Sequence, residues 1–324
     1  MTNAIRIHNT GGPEVMRWEP IEVGKPGLAQ VRLRQTAIGL NYIDVYHRTG
    51  LYPMELPGTP GLEAAAVVDE VGAGVADLKS GDRVAYAAGP VGAYAEARLM
   101  AADRLIKLPD AISDQQAAAM MLQGMTAQYL LRRTFHVKTG DTILIHAAAG
   151  GVGTIVCQWA KSLGATIIGT VGSEEKAAAA KAHGCTHTII YTREDFVARV
   201  SDLTGGRKVD VVYDSVGKDT FMKSLDCLKP LGMLVSFGQS SGSVAAFDPA
   251  ILSVKGSLFL TRPILMTYTA ARADLVASAQ ELFDVVASGK VRISVNQTYA
   301  LKDAAQAHRD LEARETTGST VLTV

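Results

Sequence analysis

Cysteine is scarce in this chain: Cys157, Cys185 and Cys227 are the only three, and none stands in the first 156 positions. An odd count gathered in one stretch argues against an extracellular disulfide framework, and a reducing, cytoplasmic setting is expected. Charge imbalance is missing too. Lys+Arg and Asp+Glu each number 32, for a formal net charge of zero and a pI near 7.1. Proteins that live on nucleic acid or anionic membrane usually carry a basic excess, so neither is expected as a partner. No apolar run is long enough for a membrane span; even 117–131 is broken by Gln123 and Gln128. Met1 to His8 lacks the apolar stretch of a signal peptide. What is present is ordinary globular usage, 48% hydrophobic and 20% charged over 324 residues, which suits two domains.

Residues 1–110 read as mostly β. Apolar runs over 29–37, 64–71 and 83–87 are separated by turn signals such as Gly11-Gly12-Pro13 and Pro57-Gly58-Thr59-Pro60-Gly61. That punctuation predicts a partly closed β-barrel. Ser113-Asp114-Gln115-Gln116 is a helix start, and helical spacing follows over 117–133. From 141 onward, strand and helix alternate. Strands are predicted over 142–147, 165–171, 186–191, 209–214, 233–237 and 257–261, with helices over 152–163 and 174–183. Six strands linked by helices predict a doubly wound parallel sheet of Rossmann type. Past Arg262 come a helix over 270–288, another over 303–313, and a short β-like tail expected to pack back on the first domain. The chain thus reads as α/β, with a substrate domain of residues 1–124 and 263–324 and an inserted nucleotide-binding domain of 125–262.

The strongest local signal is Ala148-x-Gly150-x-x-Gly153, set between a predicted strand and a predicted helix. In such a loop Gly150 lets the backbone approach a pyrophosphate, and Gly153 lets helix and strand pack closely. The helix start, Gly150, Gly151, Val152 and Gly153, then offers free N–H groups to the phosphates. NAD-preferring sites put a carboxylate at the end of the second strand, on the ribose hydroxyl. Here that end reads Thr170-Val171-Gly172-Ser173, and Lys176 follows. A small hydroxyl-bearing turn with a lysine suits a 2′-phosphate, so NADPH is the expected cofactor; a solvated surface lysine is the alternative for Lys176.

Several segments together carry a resemblance. Gly11-Gly12-Pro13-Glu14-Val15, Gly39-Leu40-Asn41-Tyr42-Ile43-Asp44, Arg48-Thr49-Gly50-Leu51-Tyr52-Pro53, and residues 146–153, 212–217 and 236–242 are the segments concerned. They resemble the zinc-free quinone oxidoreductase (ζ-crystallin-like) branch of the medium-chain dehydrogenase/reductase superfamily, with bacterial NADPH:quinone reductases as the nearest group. The likeness covers essentially the whole chain. It implies a GroES-like first domain, an inserted Rossmann domain and a homodimer formed through the last strand region. It further implies that Thr126, Tyr191 and Ser215 contact NADPH together with the loop residues above, Gly172, Ser173 and Lys176. Phe237, Gly238 and Ser240 would lie at its nicotinamide end, and Arg262 and Arg314 near it, Arg314 as a second cation for the 2′-phosphate.

The superfamily's zinc alcohol dehydrogenases bind metal through a cysteine near 41, the histidine of a Gly-His-Glu triplet and a second cysteine before the nucleotide domain. Here those places hold Asn41, Leu62 and about Leu122, and no four-cysteine lobe exists. None of these side chains ligates zinc usefully, so no metal is expected. Without a Lewis acid to ionise an alcohol, an acceptor already electron-poor is favoured. Quinone reduction by direct hydride or electron transfer is the leading reading. Asn41, Tyr46 and Tyr52 are the candidate pocket residues, steadying an oxygen that gains charge; loop packing is the alternative for the tyrosines. An enone or enal reductase on the same scaffold is the rival enzyme. A non-enzymatic NADPH-binding structural or RNA-binding protein is the rival from another class, its RNA version opposed by the zero net charge.

Overall fold

The computed structural model describes residues 2–324 and divides them into two compact units. One holds the chain up to Met125 together with Tyr268–Glu281 and Ile293–Val324; the other holds Thr126–Thr267 and Leu282–Arg292. Sequence punctuation put the second domain at 125–262. The stretch Leu282–Arg292 instead groups with the nucleotide-binding unit, for a visible reason. Gln158 donates from Nε2 to the carbonyl of Arg292 at 3.1 Å and accepts the Arg292 N–H at 2.9 Å. Leu282, Phe283 and Val291 are buried beside that clasp in sequence. No helix among the described residues is long and apolar enough to cross a membrane.

The first unit is organised by one long strand, Gln30–Leu40. Along one side it pairs antiparallel with Glu63–Val71; along the other, its first half pairs with Ala97–Ala101 and its second half with Ser319–Thr323. Two register shifts against Glu63–Val71, at Arg32/Leu33 and Gln35/Ala37, mark irregularities of the kind that bend a strand and help a sheet curl. Ser319–Thr323 is the β-like tail, packed back on the first domain as its composition suggested. Inside sit Ile5, Leu33, Ile38, Val84, Tyr86, Tyr94, Leu105 and Leu322. Gly39 is required at its place, because a Cβ there would stand 2.2 Å from the carbonyl oxygen of Ala118 and 2.3 Å from Glu63 Oε2.

The second unit contains a six-stranded parallel sheet in the order His187–Ile190, Thr166–Val171, Thr142–Ile145, Val209–Asp214, Leu228–Ser236 and Phe259–Thr261. The chain reverses direction of winding beside Thr142–Ile145, the doubly wound arrangement the alternating pattern predicted. The expected helix over 117–133 is broken. Asp114–Ala118 is capped by Ser113, whose hydroxyl accepts the Gln116 N–H; Met121–Tyr129 follows, and Leu130–Thr134 ends in a wider π turn.

One helix went unnoticed in the stretch read as mostly β: Tyr42–Thr49. Its signals were all present. Asn41 stands at the cap, Asp44 in the first turn, His47 and Arg48 in the last, and Gly50 follows with φ 81°. A buried chain of hydrogen bonds ties this helix to Ala304–Glu312. Arg48, 1% exposed, forks onto Glu312 at 2.8 Å through both terminal nitrogens, and Nη1 also reaches His308 Nδ1 at 3.0 Å. Arginine can only donate, so His308 accepts there and carries its proton on Nε2. That proton is donated to the Tyr94 hydroxyl, 3.1 Å away, and Tyr94 donates onward to Asp44 Oδ2 at 2.9 Å. Asp44 also accepts the Asn41 N–H at 2.9 Å, so the hydrogen-bond chain ends on the residue that caps the helix.

Burial, reinforced by the Arg48 charge, pushes His308 down to about 3. The unfolded chain therefore takes up a proton at this residue below pH ~6.5 while the native state does not, and stability is lost as pH falls toward the folded value. Asp44, raised to about 7 chiefly by burial, acts in the opposite sense. Comparing thermal unfolding of wild type and His308→Gln from pH 7 to pH 5 isolates the histidine. The wild type should lose ground to the variant by about 1.4 kcal/mol per pH unit below pH ~6.5; a gap independent of pH would rule out a buried neutral His308.

Candidate functional site

In the first unit the three pocket candidates stand on one local feature, the turn from the Gln30–Leu40 strand into the Tyr42–Thr49 helix and the loop beyond it. Tyr46 is buried, its ring centroid 5.4 Å from that of Tyr42 and 5.1 Å from that of Tyr52. The Tyr52 N–H donates to the Tyr46 carbonyl at 3.0 Å, which holds the loop against the helix. His47, 6.0 Å from Tyr52 ring to ring, is lowered by burial and so is neutral at pH 7. The phenol of Tyr42 is raised, first by burial and then by the Glu312 charge. Tyr46 and Tyr52 are thus brought together with two further rings, Tyr42 and His47, that were not singled out in the sequence.

Asn41 is 5% exposed, and each end of its amide is bonded within the protein. Its Nδ2 donates to Glu63 Oε2 at 2.7 Å, and its Oδ1 accepts from Gln123 Nε2 at 3.2 Å. Leu62 and Leu122 flank the same spot in sequence, and the Leu122 N–H donates to Glu63 Oε1 at 2.7 Å. Glu63 has no exposure, and burial pushes its carboxyl up to about 8. Of the three positions the sequence comparison marked for metal ligands, 62 and 122 thus hold leucines and 41 holds an amide bonded to Glu63. Among the described residues no group of three or more His, Cys, Asp or Glu could hold a metal ion.

In the second unit the glycine loop has the geometry its sequence suggested. The helix Gly151–Ser162 begins at Gly150 with extended backbone and no side-chain cap, leaving its first N–H groups to an anion. Ala147 turns the chain with φ 54°, and the Ala148 N–H is held by the Thr170 carbonyl at 3.1 Å. A Cβ at Gly153 would lie 2.3 Å from the Ala147 oxygen, so only glycine lets the helix start this close to the loop. Ala148, standing where the fingerprint has its first glycine, is accommodated by Gly169, whose own Cβ would fall 2.5 Å from that of Ala148. A diphosphate-bearing cofactor fits this start.

The strand Thr166–Val171 ends in Gly172 and Ser173, and Ser173 caps the helix Glu174–Ala182 by accepting the Lys176 N–H at 3.2 Å. Tyr191, 42% exposed, lies over Gly172, with its hydroxyl 3.0 Å from where a Cβ would be. Glu174, the nearest carboxylate, pairs with Arg193. At the carboxyl ends of the two neighbouring strands, Val209–Asp214 and Leu228–Ser236, the loops are bound together. Ser240 N–H donates to the Ser215 carbonyl at 3.1 Å, Phe237 N–H to the Asp214 carbonyl at 2.8 Å, and Gly238 packs on Ser215 with no room for a side chain. Arg262 donates to the Ser236 carbonyl at 2.9 Å. Thr126 is buried on the Met121–Tyr129 helix, and Arg314 belongs to the first unit, exposed with φ 62° just past Ala304–Glu312.

Two buried groups behind these loops were missed. Asp214 accepts the N–H groups of Val216 and Gly217 at 2.8 and 3.0 Å and the Thr220 hydroxyl at 2.8 Å, which shapes the loop bearing Ser215. His146, kept neutral by burial, bridges Thr170 and Ser224 with both ring nitrogens at 2.9 Å. An aspartate ending a buried strand and a histidine opening a glycine loop were the available signals. The three cysteines are all buried and free of disulfides.

Known proteins bear this architecture. Residues 27–110 match the family model described as Alcohol dehydrogenase GroES-like domain, and 151–281 the one described as Zinc-binding dehydrogenase. A Pseudomonas aeruginosa protein named quinone oxidoreductase is 53% identical, with 99% of each chain covered. A Burkholderia protein named 2-haloacrylate reductase is 51% identical over the same share of each. The crystal structure of Escherichia coli quinone oxidoreductase complexed with NADPH covers both chains completely, with a TM-score of 0.98 at 48% identity. The chain belongs to the quinone oxidoreductase family of the medium-chain dehydrogenase/reductase superfamily.

Proposed function

We propose that this protein is an NADPH-dependent quinone reductase that works without zinc. The observation that carries the reading is the donor set: Asn41, Leu62 and Leu122 stand where metal ligands would, and Asn41 donates one amide proton to Glu63 and keeps a second. Such a site supports an acceptor that needs orientation and hydrogen bonds rather than a Lewis acid. NADPH, when bound, supplies the hydride. Gly150, Gly151, Val152 and Gly153 would receive its pyrophosphate, with Gly172, Ser173, Lys176 and Tyr191 around the adenosine ribose and its 2′-phosphate. Ser215, Phe237, Gly238 and Ser240 would hold the nicotinamide end. Thr126, Arg262 and Arg314 are assigned to the cofactor by the family pattern. Asn41, Tyr46 and Tyr52 would orient the quinone and steady the oxygen that gains charge.

Oxidation of NADPH by 1,4-benzoquinone, followed at 340 nm beside a panel of enones and 2-haloacrylate, tests the reading. Turnover is expected with the quinone and unchanged by a chelator; none above background would favour a binding protein. The 2-haloacrylate reductase at 51% identity supports a second reading, reduction of an activated alkene, and faster turnover of the panel's alkenes would select it.

Lys176→Glu should raise the KM for NADPH by about 10- to 100-fold, as loss of a charge-assisted bond requires, and leave NADH nearly unchanged. Equal effects on both nucleotides would make Lys176 an ordinary surface lysine.

We also place the protein in the cytoplasm as a homodimer. Its free buried thiols support the first. The second is supported by the sheet edge at Phe259–Thr261, where Phe259 is 55% exposed, with Leu231 and Val254 more exposed still. Phe259→Lys should convert a dimer to a monomer in sedimentation velocity; an unaltered dimer would move the interface elsewhere.

A further inference from the structure

Four buried polar side chains of the first unit form a continuous line. Ser319 Oγ lies 2.8 Å from Gln123 Oε1, Gln123 Nε2 lies 3.2 Å from Asn41 Oδ1, and Asn41 Nδ2 lies 2.7 Å from Glu63 Oε2. None is more than 7% exposed. The Gln123 amide has no preferred direction of its own, since a half-turn exchanges donor for acceptor; the Asn41 amide oxygen also meets the Asp44 N–H of the capping box, an N–H that keeps its 2.9 Å bond to the Asn41 carbonyl when the side chain turns. Direction is imposed from the ends. An ionised Glu63 can only accept, so Asn41 must turn its nitrogen toward it. Gln123 then donates to Asn41 and accepts from Ser319.

A protonated Glu63 brings a donor, and every member can reverse. Glu63 donates to Asn41 Oδ1, Asn41 to Gln123 Oε1, and Gln123 to Ser319 Oγ. The Ser319 hydroxyl then needs another acceptor, and the Ala119 carbonyl oxygen lies 3.0 Å from it. Both senses therefore leave the line fully bonded, which a buried polar network requires if it is to have two states.

We propose that Glu63 and Gln123 are positioning residues for the Asn41 amide, and that a proton taken from solvent onto Glu63 reverses that amide. The proposal rests on the reading that Asn41 meets the substrate, and it adds that the group presented there depends on the proton. The titratable and charged groups around Glu63 are few. Asp44 of the Tyr42–Thr49 helix raises it by like charge, and Glu63 in turn raises the phenols of Tyr86, on the Arg83–Tyr86 strand, and Tyr94, with Arg98 bonded to the Tyr86 hydroxyl. No cationic side chain is among the groups shifting it. Gly39 leaves the space the carboxyl occupies. Burial raising Glu63 to about 8 puts the exchange within reach of ordinary conditions.

Glu63→Gln distinguishes the two senses. The Leu122 N–H claims the new amide's oxygen, so its NH2 faces Asn41 and holds the reversed sense at every pH. With saturating NADPH, the wild-type KM for 1,4-benzoquinone should step by about three- to tenfold near pH 8, the factor one hydrogen bond carries. The variant should stay flat at the wild-type low-pH value. A step that persists in Glu63→Gln, or a flat KM at the high-pH value, overturns the proposal. Independently of turnover, side-chain amide 15N signals of Asn41 and Gln123 should move together with the Glu63 carboxyl 13C signal in the wild-type chain. Amide signals that stay still while Glu63 titrates also overturn it, and this measurement decides the matter even where the variant fails to fold. Asn41→Ala separates the underlying reading: unchanged quinone kinetics would retire Asn41 as a substrate contact, leaving the resonance measurement to judge the line by itself.

Discussion

A carboxyl group with no access to water must be bonded on every side, and Glu63 organises the first unit around that requirement. Its oxygens take the Leu122 N–H and the Asn41 amide, joining the start of one strand, the end of another and a helix that follows at a distance in sequence. Gly39 has no side chain because the carboxyl needs its space. An amide–carboxyl network of Glu63, Asn41 and Gln123 thus ties these elements together.

The second buried line, from Arg48 through His308 and Tyr94 to Asp44, does comparable work on the Tyr42–Thr49 helix. Arg48 is the only member whose donor role is obligatory, and it sets the direction of all the rest. The helix carrying Tyr42 and Tyr46 is thus held by Asn41 at its cap and by Arg48 in its last turn. In the nucleotide-binding unit, Asp214 and His146 play the matching role. They bond the loops that carry Ser215 and the glycine turn, so these loops are backed by buried polar groups.

Legibility differed between the units for a physical reason. Parallel strands buried on both faces give apolar runs, and their helices begin and end on caps and glycines, so 142–147, 165–171 and 209–214 were read nearly to the residue. The Tyr42–Thr49 helix is eight residues long and lies inside β-rich sequence, where its capping signals were outweighed by their surroundings. The break between Asp114–Ala118 and Met121–Tyr129 left no mark, because an alanine- and methionine-rich run satisfies helical spacing on either side. The grouping of Leu282–Arg292 with the nucleotide-binding unit left no sign in the sequence, because its clasp with Gln158 lies 134 residues away along the chain.

The residues alone determined the two-part α/β plan, the glycine loop, the lack of a carboxylate at the strand end Thr170-Val171-Gly172-Ser173, and the lack of zinc ligands at 41, 62 and 122. Each is a matter of which residue type stands at which spacing. Only the tertiary structure decided what replaces the metal set. The Ser319–Gln123–Asn41–Glu63 line joins residues up to 278 positions apart, and long-range hydrogen bonds between common polar side chains leave no periodicity or motif in a sequence.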